Sequence, residues 1–518
     1  MIFLPLKKDR NFMFSLYRKV KKKAFIFLEN SQLEKSLYYF QSCASFARKY
    51  HIGIWKDEEL EKGLHCISKK LSESININAP DNNKALFISS SITDYGGHTA
   101  AMINWIECIK EEKRVFFINT YPGRRFGEMS EKVLKEHTEF IDVPSNHRMI
   151  ERVKFLKQTI KEVSPQYIVL FIDPDDVVAV TALTDLLYIK RESKPIVYFF
   201  NHADHLFWLG VTVIDILINF RKISVGFSEK IRHFNKTQFL IPLQRKKREI
   251  ISSVSMPLIK SKTLSLSIGA SWKIVPDGYW DYFGVIRRIL LENPEHAHIL
   301  ISKLNGALFK KALSIKREFP ERFYLLSDIP NPDEFYKMSD FIIETFPVVG
   351  GTVRVDVASR AKPIVCIKNN KCPLLSYTDD IPPDYPLIAT TNEEVVSYAS
   401  QLIKNPSLRK KLGTSLLKYF YNNQELRNCK VIKELFSKNL KGSEIKEITE
   451  VEVDEDYLFN IDMALKGLRS PYFFMVLNYL NDAKWFDAVS IVRHLYMNDA
   501  LHFVFSLINM FKKVNIFR

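Results

Sequence analysis

The sequence predicts an α/β protein of two facing domains, each a doubly wound parallel sheet, with helical additions at both ends. Three observations carry this. Short apolar runs of strand length recur between residues 81 and 440, separated by helical stretches. Two of the runs end in glycine loops suited to anions. Phe341–Glu344 leads through the adjacent Gly350 and Gly351 to Thr352, and a run ending at Ile268 leads through Gly269 to Lys273. A polar, basic break at 245–262 divides the array into units 81–245 and 263–440.

The bulk numbers fit. A chain of 518 residues accommodates two or three domains, and 46% hydrophobic content supports sizeable cores rather than a disordered chain. The net charge of +16 suits anionic partners: nucleotide diphosphates, a membrane surface or nucleic acid, of which nucleic acid is not an expected partner here. The six cysteines show no paired metal spacing and read as reduced thiols of a cytoplasmic protein. No apolar run reaches the roughly 20 residues of a membrane helix.

Taken in order, residues 1–80 read as helices. The arm from Lys7 to Lys23 is strongly basic, with Phe12, Phe14, Leu16 and Tyr17 interleaved. Such a helix either lies on an anionic membrane or packs with a solvated basic face. Leu37–Tyr50 and Glu58–Leu71 read as further amphipathic helices. The first domain opens with a strand at Ala85–Ser89. Gly96-Gly97-His98-Thr99 follows, and His98 is a candidate for touching donor sugar or acceptor. Strands at Arg114–Asn119 and Tyr167–Ile172 come next. The second leads into Asp173-Pro174-Asp175-Asp176. That motif reads either as carboxylates holding a divalent ion through Asp173 and Asp175, or as the cap of a helix starting at Val177.

The strand Ile196–Phe200 ends in a loop, Asn201–Gly210, that concentrates His202, Asp204 and His205. In open α/β sheets ligands bind at that end of the strands. Three readings stay open: a general base with Phe207 and Trp208 as an acceptor wall, a metal site, or a loop stabilised locally. A histidine near its unperturbed pKa of about 6.5 takes a proton at neutral pH. Ile216–Phe220, Ile223–Phe227 and Phe239–Ile241 complete this domain as strands.

The second domain reads as strands Leu264–Ile268, His298–Ser302, Phe323–Leu326, Phe341–Glu344 and Ile364–Ile367, with helices between. Lys273 is placed to reach a diphosphate. The Thr352 hydroxyl can cap the helix that begins there, whose free N–H groups attract a phosphate at Gly351 and Thr352. Asp356, four residues on, can accept ribose hydroxyls. Leu408–Phe420 reads as a helix that crosses back to the first domain, and 457–518 as a helical C-terminal region.

The stretch GGTVRVDVASRAKPIV, from Gly350, resembles the loop, helix and strand of GT-B glycosyltransferases, whose core is two facing Rossmann-like domains. Within that fold it is most similar to the O-GlcNAc transferase and bacterial protein N-glucosyltransferase family. Trp272–Pro276 matches that family's aromatic-Lys-Ile-x-Pro segment. The resemblance implies a UDP-sugar donor as co-substrate, no cofactor and no metal. It puts Lys273 on the diphosphate, Asp356 on the ribose, and a glycan or protein acceptor against the first domain. The chain departs from the family at Gly351 and Ala270 and shows no tetratricopeptide array. Thr352 stands where the Glu-x7-Glu signature of many retaining enzymes needs its second glutamate, which points to inversion. Two alternatives remain: a metal-dependent GT-A-like transferase using Asp173 and Asp175, and a non-catalytic GT-B-like partner subunit of a glycosyltransferase complex.

Overall fold

The computed structural model describes residues 7–241, 257–437 and 453–459, apart from 72, 76–78, 95, 96, 305, 328, 330, 331, 377, 379, 380 and 422–424. Gly96, most of the 245–262 break and all but the first three residues of the 457–518 region therefore lie outside the described residues.

Two parallel sheets form the frame. The first comprises β1 (Asp81–Ser89), β2 (Arg114–Asn119), β3 (Glu139–Ile141), β4 (Pro165–Phe171), β5 (Ile196–Phe200), β6 (Ile216–Asn219) and β7 (Thr237–Leu240). Their order across the sheet is β3-β2-β1-β4-β5-β6-β7. The central strands are apolar on both faces, as parallel strands covered by helices must be. The second sheet comprises β8 (Thr263–Ile268), β9 (His296–Ile301), β10 (Phe323–Leu326), β11 (Phe341–Ile343), β12 (Ile364–Ile367) and β13 (Ile388–Ala389), in the order β10-β9-β8-β11-β12-β13. In both sheets the strand order reverses beside the first strand. The loops that follow β1, β4, β8 and β11 flank those reversals, where an open α/β sheet forms its crevice.

The N-terminal helices α1 (Lys7–Glu29), α2 (Leu33–Lys49) and α3 (Glu58–Lys70) share one core with a face of the first sheet. Met13, Leu16, Tyr17 and Val20 are buried at helical spacing, so the inner side of α1 is spent on packing. Asp57 caps α3 through the Leu60 N–H and also accepts from Tyr17 and Lys21.

Three expectations are corrected. The segment Ile223–Phe227 is not a strand but lies in a helix, Lys222–Lys230. Its alternation of large and small residues imitates a strand. In the fold Ile223 and Phe227, one turn apart, are both buried, and Ser224 donates to Asp204. The cysteines are not all reduced: Cys108 and Cys429 form a disulfide, with Cα atoms 5.3 Å apart. It clips α4 (Gly97–Ile109) to a C-terminal helix, Glu425–Leu435. That helix, rather than the preceding Pro406–Tyr421, packs on the first sheet, where Ile432, Leu435 and Phe436 join the core and Tyr198 donates to the Leu435 carbonyl. Residues 453–459 bind both halves: Arg10 pairs with Glu455 and Asp456, while Tyr457 meets Asp277 and accepts from Asn369. No helix among the described residues is long and apolar enough to cross a membrane.

Candidate active site

The loops after β8 and β11 lock each other. Lys273 accepts at its carbonyl from the Val348 N–H, and its Nζ donates to the Val349 carbonyl at 2.9 Å. Gly269 allows this proximity, because a Cβ there would lie 2.8 Å from Thr345 Cγ2. Burial pushes the Lys273 ammonium down to about 8, against the pull of Glu344. Glu344 is itself buried in a two-pronged ion pair with Arg354 and accepts from the Ile367 N–H.

Gly350 is the N-cap of α5 (Gly351–Ala358), so the Thr352 hydroxyl does not cap the helix as expected. Thr352 instead stands in its first turn, where backbone N–H groups and the helix dipole favour an anion.

The first domain supplies the opposite wall. A cavity of about 330 Å³ between the domains takes Lys273, Gly351 and Thr352 on one side and His98, His202 and His205 on the other. The rings of His98 and His202 lie 3.9 Å apart, and His205 stacks on Trp272 across the cleft at 6.3 Å. Burial pushes all three histidines down. For His98 the neighbouring His202 adds to the effect, and for His202 the nearby Arg48 takes it to about 4. The expectation of an unperturbed histidine base is therefore corrected: these imidazoles are neutral at pH 7 and weakly basic. His98 Nε2 and His202 Nδ1 are buried without a hydrogen-bond partner.

Asp204 is committed elsewhere. Arg221 grips its carboxylate, Ser224 donates to it, and His205 Nδ1 lies 3.4 Å away. Burial opposes its ionisation, yet Arg221 and His205 outweigh that and hold its carboxyl far below the usual range. Phe207 and Trp208 are each 1% exposed, and Trp208 stacks on Phe199. They belong to the core rather than to an acceptor wall.

Asp356 lies one turn beyond Thr352, 5% exposed and outside the cavity wall. Asp173 and Asp175 face protein cations. Arg48 meets Asp175 at 2.6 Å and Arg124 meets Asp173 at 2.7 Å, while Ser45 and Gln41 also donate to Asp175. Asp176 caps the helix Val177–Leu183, as the second reading of that motif expected. Among the described residues no group of three His, Cys, Asp or Glu side chains is placed to hold a metal.

Three contributors escaped the sequence reading. Arg48, from α2, lines the cavity beside His202, and Arg221 and Leu374 close its floor. Helix α3 and the connection that precedes it also fix the histidine loop. Glu61 accepts from the N–H groups of Gly210, Val211 and Thr212, and the His51 ring bonds the His205 carbonyl.

No protein-family model matches the chain, and comparison with curated proteins finds no match. Solved structures do resemble it. HepE of Anabaena, in complex with UDP-glucose, aligns at a TM-score of 0.50 and 12% identity, over 68% of this chain and 99% of that one. TarM of S. aureus aligns at 0.50 and 9%, over 68% and 99%. A mutant O-GlcNAc transferase of Thermobaculum terrenum aligns at 0.49 and 11%, over 81% and 83%. What the two likenesses at 0.50 establish, with the two parallel sheets, is the fold: α/β, of the GT-B class, with facing Rossmann-like domains.

Proposed function

We propose that the chain is a glycosyltransferase that moves a sugar from a UDP-sugar donor to a glycan or protein acceptor. One observation supports this above the others. One interdomain cavity joins a wall suited to anions, Lys273 with the first turn of α5, to a wall of three imidazoles. Its volume is at the lower end of the ~300–1,000 Å³ usual for small-molecule sites.

The chemistry follows from those walls. The bond from the sugar's anomeric carbon to the phosphate oxygen breaks, and negative charge collects on the leaving diphosphate. Lys273 and the helix N-terminus offset that charge without a resident metal. The acceptor hydroxyl forms the new bond and gives up its proton to His202, which starts neutral. His98, against the His202 ring, holds it in place, and Asp204 with Arg221 fixes the loop.

A second reading has its own support. Asp204 is spent on Arg221, and the imidazoles are weak bases, which suits a subunit that binds a nucleotide-sugar without turning it over. Incubation of the purified chain with a panel of UDP-sugars separates the two. UDP release with thermal stabilisation supports the transferase, and stabilisation without release supports the binding subunit. Neither effect with any donor overturns both.

A further inference from the structure

We propose that the outer face of α1 docks on an anionic lipid bilayer. The helix has two unlike sides. Its inner side is buried through Met13, Leu16, Tyr17, Val20, Ala24 and Leu28. On its outer side Arg18, Lys19 and Lys22 are exposed, and none has an ion-pair partner among the described residues. Phe14 and Ile26 flank them at 40% and 44% exposure. No acid occurs between Asp9 and Glu29. The nearby acids of other elements are already engaged. Asp57 and Glu59 hold Lys21, Glu455 and Asp456 hold Arg10, and Glu34 accepts from the N–H groups of Met149 and Ile150.

The outer face therefore stays cationic, with a large apolar side chain towards each end. That pairing selects the partner. Headgroup phosphates attract the cations, while Phe14 and Ile26 reach the acyl boundary. A nucleic-acid backbone would use the cations and leave both apolar side chains in water. Because the inner side of α1 is part of the core, the test must change the outer face and keep the helix.

The experiment is sedimentation of the full chain with vesicles of phosphatidylcholine, with and without phosphatidylglycerol. Binding is expected to the anionic vesicles and to fall with added salt. The triple variant Arg18→Ser, Lys19→Ser, Lys22→Ser should bind about a hundredfold more weakly. The pair Phe14→Ser, Ile26→Ser should lose about tenfold. Both should melt within a few degrees of the parent. Sedimentation of the triple variant at the parent level overturns the proposal. So does equal binding of the parent to neutral vesicles, or tighter binding to a nucleic-acid oligonucleotide than to anionic vesicles. None of these outcomes depends on whether the chain transfers sugar.

Discussion

A Cβ built on Gly97 would lie 2.0 Å from Cγ2 of Thr352. The helix that follows β1 in one domain thus meets the helix that follows β11 in the other at a point where neither side has a carbon to spare. Both residues line the cavity, so the width of the cleft is set where an anion would sit.

Gly97→Ala should therefore push the domains apart. A stability loss of ~1–3 kcal/mol is expected for such overpacking, together with weaker UDP binding. Adding Thr352→Ser removes Cγ2 and leaves Cβ and Oγ1 at 3.1 and 3.2 Å, so it should restore much of both. Thermal unfolding and calorimetry of the single and double variants check this. Simple additivity of the two substitutions would mean the contact does not set the cleft.

His202→Ala should slow transfer by ~100–10,000-fold while nucleotide affinity stays near the parent value. The pH profile carries a second check. A base must be neutral to act, and burial beside Arg48 holds His202 down to about 4. Activity should therefore persist as pH falls through 6.5 and fail only on approaching 4. An acid limb near 6.5 would point to another base.

The Cys108–Cys429 disulfide joins segments 321 residues apart in sequence. Cys108→Ser, or reduction, should cost about 2–5 kcal/mol of stability, the usual range for removing a native cross-link. Unfolding with and without reductant reads this directly. Two free thiols at these positions in the untreated protein would refute the bond.

The sheet frame was legible because parallel strands buried on both faces declare themselves as short apolar runs. Arg114–Asn119, Ile196–Phe200, Phe323–Leu326 and Ile364–Ile367 run as the sequence suggests. The placing of Lys273 and Thr352 at the cleft was legible too, since each follows a strand that borders a reversal of strand order. What stayed hidden depends on distant pairing. Asp204 looks free for catalysis until Arg221 folds onto it, 17 residues away. Arg48 belongs to a helix that reads as peripheral, yet Asp173 and Asp175 draw it to the cavity edge. Glu61 resembles any surface helix carboxylate, and only the fold shows it holding the backbone of 210–212. The histidines are visible in sequence, but their depressed basicity is a property of burial.

Lys273 makes the nucleotide claim testable at the level of a proton. Its ammonium titrates near 8 in the folded chain and near 10.4 when unfolded, so the unfolded state holds more protons between those values. Stability should rise with pH across that window, and Lys273→Met should abolish the rise and stabilise the unliganded protein at neutral pH.

The most direct measurement is calorimetric titration of UDP at about pH 8.5 in buffers of different ionisation enthalpy, with the parent and Lys273→Met. A diphosphate seated on Lys273 raises its proton affinity, so the parent should take up a substantial fraction of a proton on binding. Lys273→Met should take up none and bind ~1.5–3 kcal/mol more weakly. Binding of equal strength in both, with no proton uptake by the parent, would contradict the account.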